Sequence, residues 1–409
     1  MRLSILIVIF SIITVSAGTI YVGDDDARHR GGGYVNGYYN DLQTAIDKAA
    51  ASDTIRLSPG VFRAKQYPFP ETLCGNCENP VTEVEATCGF LVQGKSLVII
   101  GSGADSTTLV TNAGYGVLFL DCPNAAIMRL KITGGKRDLD GNATDAAIVA
   151  RQSRVTVTDC LIADNTDRPE DVVVGIGGIF GREGAELLIS GNELFNNGWD
   201  GIALYRGATA VIADNVINGG RGAGIGITWD AIAQVYRNEI SNYWKGIGTF
   251  GATRAVVSNN IVKDNLGWGI IVTGEAYMDV TNNLVINNGN CGLAIWSNEC
   301  SGRFANNIAT GNGWRQEWVC PPVGFWNYGQ LANFIVSHNN IFNNKEGEYR
   351  DMPDFTDTLG NISADPMFAG EDDYHLKPES PCINSGDSLI TDNDGTVSDM
   401  GVYGGPRAR

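Results

Sequence analysis

The sequence of 409 residues is poor in positive charge, and beyond its first 17 residues it lacks any long apolar run. Its 29 Lys and Arg stand against 46 Asp and Glu, which gives a formal net charge of −17. Nucleic acids and anionic membranes recruit proteins chiefly through Lys and Arg, so this balance disfavours both as partners. Spanning a bilayer takes about 20 apolar residues, and no run of that length occurs.

Residues 1–17 have the pattern of a secretory signal peptide. Arg2 supplies a basic start, residues 3–15 are mostly apolar, and Val15-Ser16-Ala17 is a small-residue cleavage site. The pattern predicts a mature protein that begins at Gly18 and is secreted or held at the cell surface. We expect it to be a monomer, without membrane contact once the signal peptide has been removed.

The cysteine count is odd, with nine in the chain. In an exported protein an odd count leaves at least one cysteine unpaired or joined to another molecule. Cys74, Cys77 and Cys88 lie close together in the sequence, in a segment expected to be a loop. Because export favours oxidation, a disulfide is the better interpretation of this cluster than a zinc site.

A two-part pattern returns about every 23 residues from the middle of the chain onward. Its first part is an Asn-x-(Ile/Leu) step, at Asn192, Asn215, Asn238, Asn259, Asn282, Asn306 and Asn339. Its second part is a Gly-(Ile/Leu) step, at Gly201, Gly224, Gly246, Gly269 and Gly292. A period of this length indicates a solenoid, in which each repeat buries its apolar face against its neighbours.

Apolar residues alternate within each repeat, as in Ile225-x-Ile227, which indicates short strands with one buried face. A repeat of this length holds three strands, and successive coils stack as parallel strands about 4.8 Å apart. The recurring Asn then has a structural role, because stacked amides can donate and accept along the stack. We therefore predict an all-β fold, a parallel β-helix.

The sequence resembles the pectin-lyase-like right-handed parallel β-helix superfamily over most of its length. The resemblance is carried by the repeat, by the opening segments 41–50 and 53–62, and by the closing segments 365–368, 374–378, 380–384 and 399–405. Residues 41–51 should form an amphipathic helix, capped by Asn40 or Asp41, that covers the open end of the coil. The expected order is signal peptide 1–17, cap and first coil 18–65, cysteine-containing loop 66–90, β-helix 91–345 and capping tail 346–409.

Alignment of the coils on the Gly-Ile step predicts which side chains point outward, because residues two apart share a face. The position after the Ile is Phe180, Ala203, Gly226, Gly248, Ile271, Ala294 and Trp326. Two residues later come Arg182, Tyr205, Thr228, Phe250, Thr273, Trp296 and Tyr328, and just before the Gly lie Asp200, Lys245 and Trp268. These columns predict a trough with a floor of small residues.

Two coils carry extra length, around residues 164–173 and 313–323, and we expect these insertions to wall the two ends of the trough. The trough would then be about 20 to 25 Å long. All eight tryptophans fall between Trp199 and Trp326, and flat aromatic faces suit sugar rings. The candidate substrate-binding residues are Tyr205, Trp229, Phe250, Trp268, Trp296 and Trp326; packing at a corner is the alternative for Trp199, Trp244 and Trp268.

The superfamily includes polysaccharide lyases, and the resemblance implies a Lys or Arg base and often calcium. Elimination needs a base beside the sugar carboxylate and a cation or basic group to hold that carboxylate. Lys245 is the only Lys in the predicted trough and is the candidate base, with Arg206 as the carboxylate partner. Calcium has one candidate site, at Asp392 and Asp394, which resembles half of a calcium loop.

Hydrolysis is the competing chemistry, and it needs two carboxylates facing one bond. Asp200, Asp230 and Glu275 are the available acids. The tripeptide Asn165-Thr166-Asp167 resembles the first element of a polygalacturonase signature, but no Asp pair follows it and no His occurs between His29 and His338. Signatures of mannuronan epimerases and pectate lyases are also incomplete.

The sequence thus favours a carbohydrate-active protein that binds an extended polysaccharide, acidic in the case of a lyase, with a lyase preferred over a hydrolase. The catalytic candidates are Lys245, Arg206, Asp200 and Asp230. A non-catalytic, secreted or cell-surface protein that binds glycan or acts as a scaffold is the alternative from another class. An enzyme should bring Lys245, Arg206 and an acid into one pocket, whereas a scaffold should keep them apart.

Overall fold

A computed structural model describes residues 18–23, 35–316 and 318–408. The signal peptide expected at 1–17 lies outside these residues. The chain winds into a right-handed coil with three strands per turn, and the strands of successive turns form three long sheets. Every pairing between named strands is parallel except the first pair of the third sheet. The predicted parallel β-helix is confirmed.

Each full turn of the coil contributes one strand to each of three sheets, named A, B and C. Sheet A contains Thr19–Val22, Val35–Tyr39, Thr54–Leu57, Val98–Ile100, Ala125–Met128, Arg154–Thr158, Glu186–Ser190, Thr209–Ala213, Ile232–Tyr236, Arg254–Ser258, Tyr277–Thr281, Ser301–Ala305 and Phe334–Ser337. Sheet B contains Gly60–Arg63, Thr107–Val110, Lys131–Thr133, Leu161–Ala163, Glu193–Phe195, Val216–Asn218, Glu239–Ser241, Ile261–Lys263, Leu284–Ile286, Ile308–Thr310 and Asn340–Phe342. Sheet C contains Tyr67–Glu71, Val84–Gln93, Tyr115–Leu120, Ala146–Arg151, Gly177–Arg182, Ile202–Leu204, Ala223–Trp229, Lys245–Gly251, Trp268–Val272, Leu293–Ile295, Phe325–Asn327 and Tyr349–Arg350.

Sheet C carries the Gly-Ile step, and its register matches the alignment made from the repeat. The inward column runs through Ile179, Ile202, Ile225, Ile247, Ile270, Leu293 and Phe325. The outward column beside it runs through Phe180, Ala203, Gly226, Gly248, Ile271, Ala294 and Trp326. The inward residues are fully buried, because each stacks on the equivalent residue of the next coil.

An asparagine ladder runs through the core at the corner before sheet B. Each side-chain amide donates to the amide oxygen of the next coil at 2.9 to 3.0 Å, through Asn192, Asn215, Asn238, Asn260, Asn283, Asn307, Asn339 and Asn361. The expectation needs one correction, because in Asn259-Asn260, Asn282-Asn283 and Asn306-Asn307 the second residue enters the ladder, whereas in Asn339-Asn340 the first does, as expected. The first residue of the former pairs, such as Asn259, turns the corner with a positive φ of 56° and bonds the C-terminal tail.

A helix covers the N-terminal end of the coil, and the C-terminal tail packs along its outside. An α-helix, Leu42–Lys48, buries Leu42, Ala45 and Ile46 against the first coil, and Asp41 caps it by accepting from the Thr44 N–H. The helix is shorter than the expected 41–51, because Ala49 is already extended. The C-terminal tail packs on sheet B through Met400 and Val402 against Ile261, Leu284 and Ile308. Among the described residues, no helix is long and apolar enough to cross a membrane.

The segment 66–90 is not the simple loop expected from the sequence. Tyr67–Glu71 pairs antiparallel with Val84–Gln93, and the latter strand belongs to the first full turn of sheet C. The connection between them carries the disulfide Cys74–Cys77. Cys88 lies in the second strand, where it is buried and not part of a disulfide. The hairpin lies over the outward face of the sheet, because Tyr67 and Phe69 pack on the residues there.

Candidate functional site

The outward face of sheet C forms a trough whose floor is two adjacent glycines. Gly226 and Gly248 pair directly across neighbouring coils. A Cβ at Gly226 would lie 3.5 Å from Asp200 Oδ2, and one at Gly248 would lie 3.0 Å from Lys245 Cδ. The carboxylate of Asp200 and the stem of Lys245 therefore flank the open floor. Asp200 and Lys245 stand two coils apart at equivalent positions, about 10 Å along the trough.

Asp200 and Lys245 form an electrostatic pair rather than a closed ion pair. Burial raises the pKa of Asp200 to about 6, against the opposing effects of the Ala223 N–H and the Lys245 charge. The Ala223 N–H donates to Asp200 Oδ1 at 2.5 Å, so the carboxyl group is held in place. Within the described residues, Lys245 Nζ makes no hydrogen bond and no salt bridge. A titratable acid and an unengaged amine thus face the same space.

Arg206 lies beyond the C-terminal ends of the sheet C strands, on the side of the trough opposite Asp200 and Lys245. Its guanidinium stacks on the Trp229 ring, with 3.6 Å between the guanidinium carbon and the ring centroid. Its Nη2 donates to the backbone carbonyls of Cys77 and Glu78. Arg206 therefore anchors the disulfide-bearing connection to the coil. It is not brought together with Lys245, so the expected trio of base, carboxylate partner and acid is not assembled.

Asp230 also lies at that far edge, where its Oδ1 accepts from the Gly207 N–H at 2.6 Å. Asp200 and Asp230 occupy opposite ends of their strands and do not face one bond across the trough. The same edge presents Phe250, whose side chain is 51% exposed and meets the Trp229 ring edge to face at 5.6 Å. Phe250 and the half-buried Trp229 are thus the aromatic rim of the trough on this side.

Five tryptophans form a continuous edge-to-face row along the C-terminal half of the trough. The row is Trp318, Trp244, Trp268, Trp296 and Trp326, with neighbouring ring centroids 4.8 to 5.9 Å apart. Trp268 and Trp326 are buried, whereas Trp244 and Trp296 are half-buried and Trp318 is exposed. The row joins the inserted segment to the sheet, because Trp318 belongs to the insertion and Trp244 to the trough.

The row corrects two expectations. Trp326 is packed rather than presented as a platform, since it is 5% exposed and its Nε1 donates to Asp351 Oδ2 at 2.9 Å. Tyr328 beside it is 65% exposed and offers the open surface instead. The insertion near 313–323 runs back along one side of the trough and does not close its end. Trp199 packs against the cluster that contains Phe180 and Tyr205 and does not stack on another tryptophan of the described residues, so only Trp244 and Trp268 of the expected corner stack meet.

The N-terminal end of the trough is closed by contacts that the sequence did not predict. Arg182, expected at the surface, is fully buried, and its Nη2 meets Glu71 Oε2 at 2.5 Å. Arg182 also donates to the carbonyl of Leu73 in the disulfide-bearing connection. Phe180 and Tyr205, which share its outward face, are 2% and 3% exposed. Tyr205 therefore borders a covered pocket and not the open trough.

The acidic residues of the tail do not make a calcium site. Asp392 accepts backbone N–H bonds from Asp399 and Gly405, and Asp394 Oδ1 accepts from both the N–H and the hydroxyl of Thr396. These bonds engage both carboxylate oxygens of Asp392 and one of Asp394 in holding the turn. Among the described residues, no group of three or more His, Cys, Asp or Glu is placed to hold a metal ion. The residues present do not fit bound calcium.

Comparison with known sequences supports the fold directly. A model of the family described as right handed beta helix region matches residues 78–228 and 177–341, which together span more than half of the chain. The chain belongs to the right-handed β-helix family. The resemblance to the pectin-lyase-like superfamily is thereby confirmed. No curated protein matches the sequence.

Solved structures of other right-handed β-helix proteins are similar in backbone. XylC in complex with xylose gives a TM-score of 0.50 at 11% identity, over 86% of this chain and 87% of that chain. A mutant of the periplasmic alginate epimerase AlgG gives 0.47 at 13% identity, over 80% and 82% of the two chains. Pectate lyase Pel9A gives 0.46 at 14%, over 95% and 97%. Identities this low say nothing of the activity of this chain, since one fold hosts many functions.

Proposed function

We propose that this protein acts outside the cytoplasm and binds an extended polysaccharide along the trough of sheet C. The observation that carries the proposal is the glycine floor at Gly226 and Gly248, bordered by aromatic rings on both sides. A floor without side chains lets a flat sugar ring approach the backbone, and aromatic faces bury the apolar face of the ring. The secretory pattern of residues 1–17 supports the same location.

We assign the trough a lyase chemistry in which Lys245 is the base. The Lys245 amine takes the proton beside the sugar carboxylate, and the electron pair of that C–H bond forms a C=C bond as the glycosidic C–O bond breaks. The leaving oxygen needs a proton, and Asp200 is suited to supply it because burial raises its pKa to about 6. Arg206 takes no part in this step, since its guanidinium holds the disulfide-bearing connection. The basic group that elimination needs at the sugar carboxylate is therefore not supplied by Arg206, and the separation of Arg206 from Lys245 favours the alternative function, a non-catalytic glycan-binding protein.

A screen of acidic polysaccharides tests this proposal. Polygalacturonate and alginate are incubated with the protein, and ultraviolet absorbance reports the unsaturated product while a reducing-end assay reports any cleavage. We expect both signals to rise together with at least one polymer. Hydrolysis would raise reducing ends alone and would reject the lyase chemistry.

Two variants separate binding from catalysis. Lys245→Met removes the amine but keeps the stem that lies beside Gly248, so retention on immobilised polymer should persist while product formation stops. Lys263→Met is the matched control, because Lys263 pairs with Glu239 on sheet B and lies away from the trough. If the wild-type protein is retained on the polymer but forms no product, the lyase chemistry is rejected and the alternative function, a non-catalytic glycan-binding protein, is supported. No retention on any polymer would reject the glycan role altogether.

A further inference from the structure

The trough has one covered end and one open end. At the N-terminal end the hairpin 67–93 covers the outward residues of the early coils, and Leu118 and Val149 are fully buried beneath it. At the C-terminal end the last outward residues are the exposed Tyr328 and Arg350. A polymer lying along the floor can therefore continue past one end only.

The covered end is built as a firm wall. Arg182 donates hydrogen bonds to the Glu71 carboxylate and the Leu73 carbonyl. Arg206 donates to the carbonyls of Cys77 and Glu78. The disulfide Cys74–Cys77 shortens the connection between those two anchor points. Charge-assisted bonds to buried groups are among the stronger hydrogen bonds in proteins, so this wall should resist displacement by a polymer.

A pocket lies in the angle between the wall and the trough. Its volume is about 340 Å³, which falls in the range of small-molecule sites. The half-buried Trp199 supplies aromatic surface, and the exposed Asn76, Glu78 and Asn142 supply polar groups. One ring with two amides and a carboxylate can hold one sugar ring through its apolar face and its hydroxyls. Trp199 immediately precedes Asp200, so the pocket opens directly beside the proposed reaction site.

We infer that the protein recognises the end of a glycan chain, with the terminal sugar in the pocket beside Trp199 and the rest of the chain running over Gly226 and Gly248. The inference rests on the proposed glycan-binding function and specifies its substrate as chain ends. The pocket at Phe180 and the floor at Gly248 are three coils apart, about 14 Å, which is room for about two or three sugar units. Cleavage there should release short oligosaccharides of a fixed length.

Chain-length dependence of binding tests the inference. Size-fractionated chains of about 10 and about 100 units are prepared from polygalacturonate and alginate, and binding is measured by tryptophan fluorescence against mass concentration. One end per chain is available whatever its length, so end recognition predicts a half-saturating mass concentration about tenfold higher for the longer chains. Equal or lower mass concentrations for the longer chains would mean interior binding and would overturn the inference while the proposed function stood. An absence of binding to either polymer would overturn both.

Two tryptophan variants locate the end-binding pocket. Trp199→Ala should weaken binding of the 10-unit chains about tenfold or more, because it removes the aromatic surface of the pocket. Trp314→Ala is the control, since Trp314 is 46% exposed and lies on the inserted segment outside the pocket. Circular dichroism melting confirms that both variants fold. Unchanged affinity in a folded Trp199→Ala protein would contradict the placement of the chain end.

Discussion

Replacing Gly226 with Leu should fill the floor of the trough without disturbing the coil beneath it. A Cβ at Gly226 would have its nearest neighbours at 3.5 to 4.0 Å, namely Asp200 Oδ2 and the Cβ atoms of Ala223 and Ala203. These are ordinary contacts, and a strand glycine costs about 0.5–1 kcal/mol relative to Ala, so stability should stay within about 1 kcal/mol of wild type. The Leu side chain would occupy the space that we assign to a sugar ring. We expect glycan affinity to fall at least tenfold, or about 1.4 kcal/mol.

The neighbouring Gly224 supplies a matched control with the opposite outcome. Its Cβ would point inward and lie 2.2 Å from Ile240 Cγ2 and 2.8 Å from the Gly246 carbonyl oxygen. Gly224→Ala should therefore destabilise the coil by about 1–3 kcal/mol through overpacking. Affinity of the folded fraction should be retained. Thermal melting and retention on immobilised polymer measure the two effects; a Gly226→Leu protein that folds and binds like wild type would refute the assignment of the floor.

Three further predictions concern the acid, the base and the core. Asp200→Asn should raise stability above pH 6 and have little effect below pH 4. The pKa of Asp200 is raised in the folded protein, so the wild-type protein loses stability as pH rises between these values. Melting temperatures of both proteins against pH measure this, and a difference independent of pH would contradict it. Lys245→Met should abolish the ultraviolet signal and leave polymer retention within about threefold of wild type, since it removes the proton acceptor and keeps the stem. Asn260→Ala should lower the free energy of unfolding in urea by about 2–5 kcal/mol, because the Asn238 amide and the Val235 and Ser258 carbonyls lose buried hydrogen-bond partners. Asn242→Ala, at an exposed position, should lower it far less.

The repeat allowed the fold and the floor of the trough to be predicted from the sequence. One period corresponds to one coil, so residues at equal places in the repeat become neighbours on one sheet, as Gly226 and Gly248 do. The same alignment put Asp200 and Lys245 on one side of that floor. Within an Asn-Asn pair the sequence could not distinguish the ladder residue from the corner residue, because both positions favour the same side chain.

The closed end could not be predicted, because its contacts join residues far apart in the sequence. Arg182 meets Glu71 across 111 residues, and Arg206 meets Cys77 across 129. Repeat alignment treats every coil alike and therefore placed both arginines on an open surface. The signal that could have indicated a wall was the Cys74–Cys77 segment, which breaks the repeat just before the coil becomes regular.

A structure of the protein with a bound acidic oligosaccharide of about six units tests the account most directly. The account predicts sugar rings over Gly226 and Gly248, with Lys245 and Asp200 beside one glycosidic bond and the terminal sugar against Trp199. An oligosaccharide bound on another face of the coil, or one that crosses the trough without approaching the glycine floor, would contradict it.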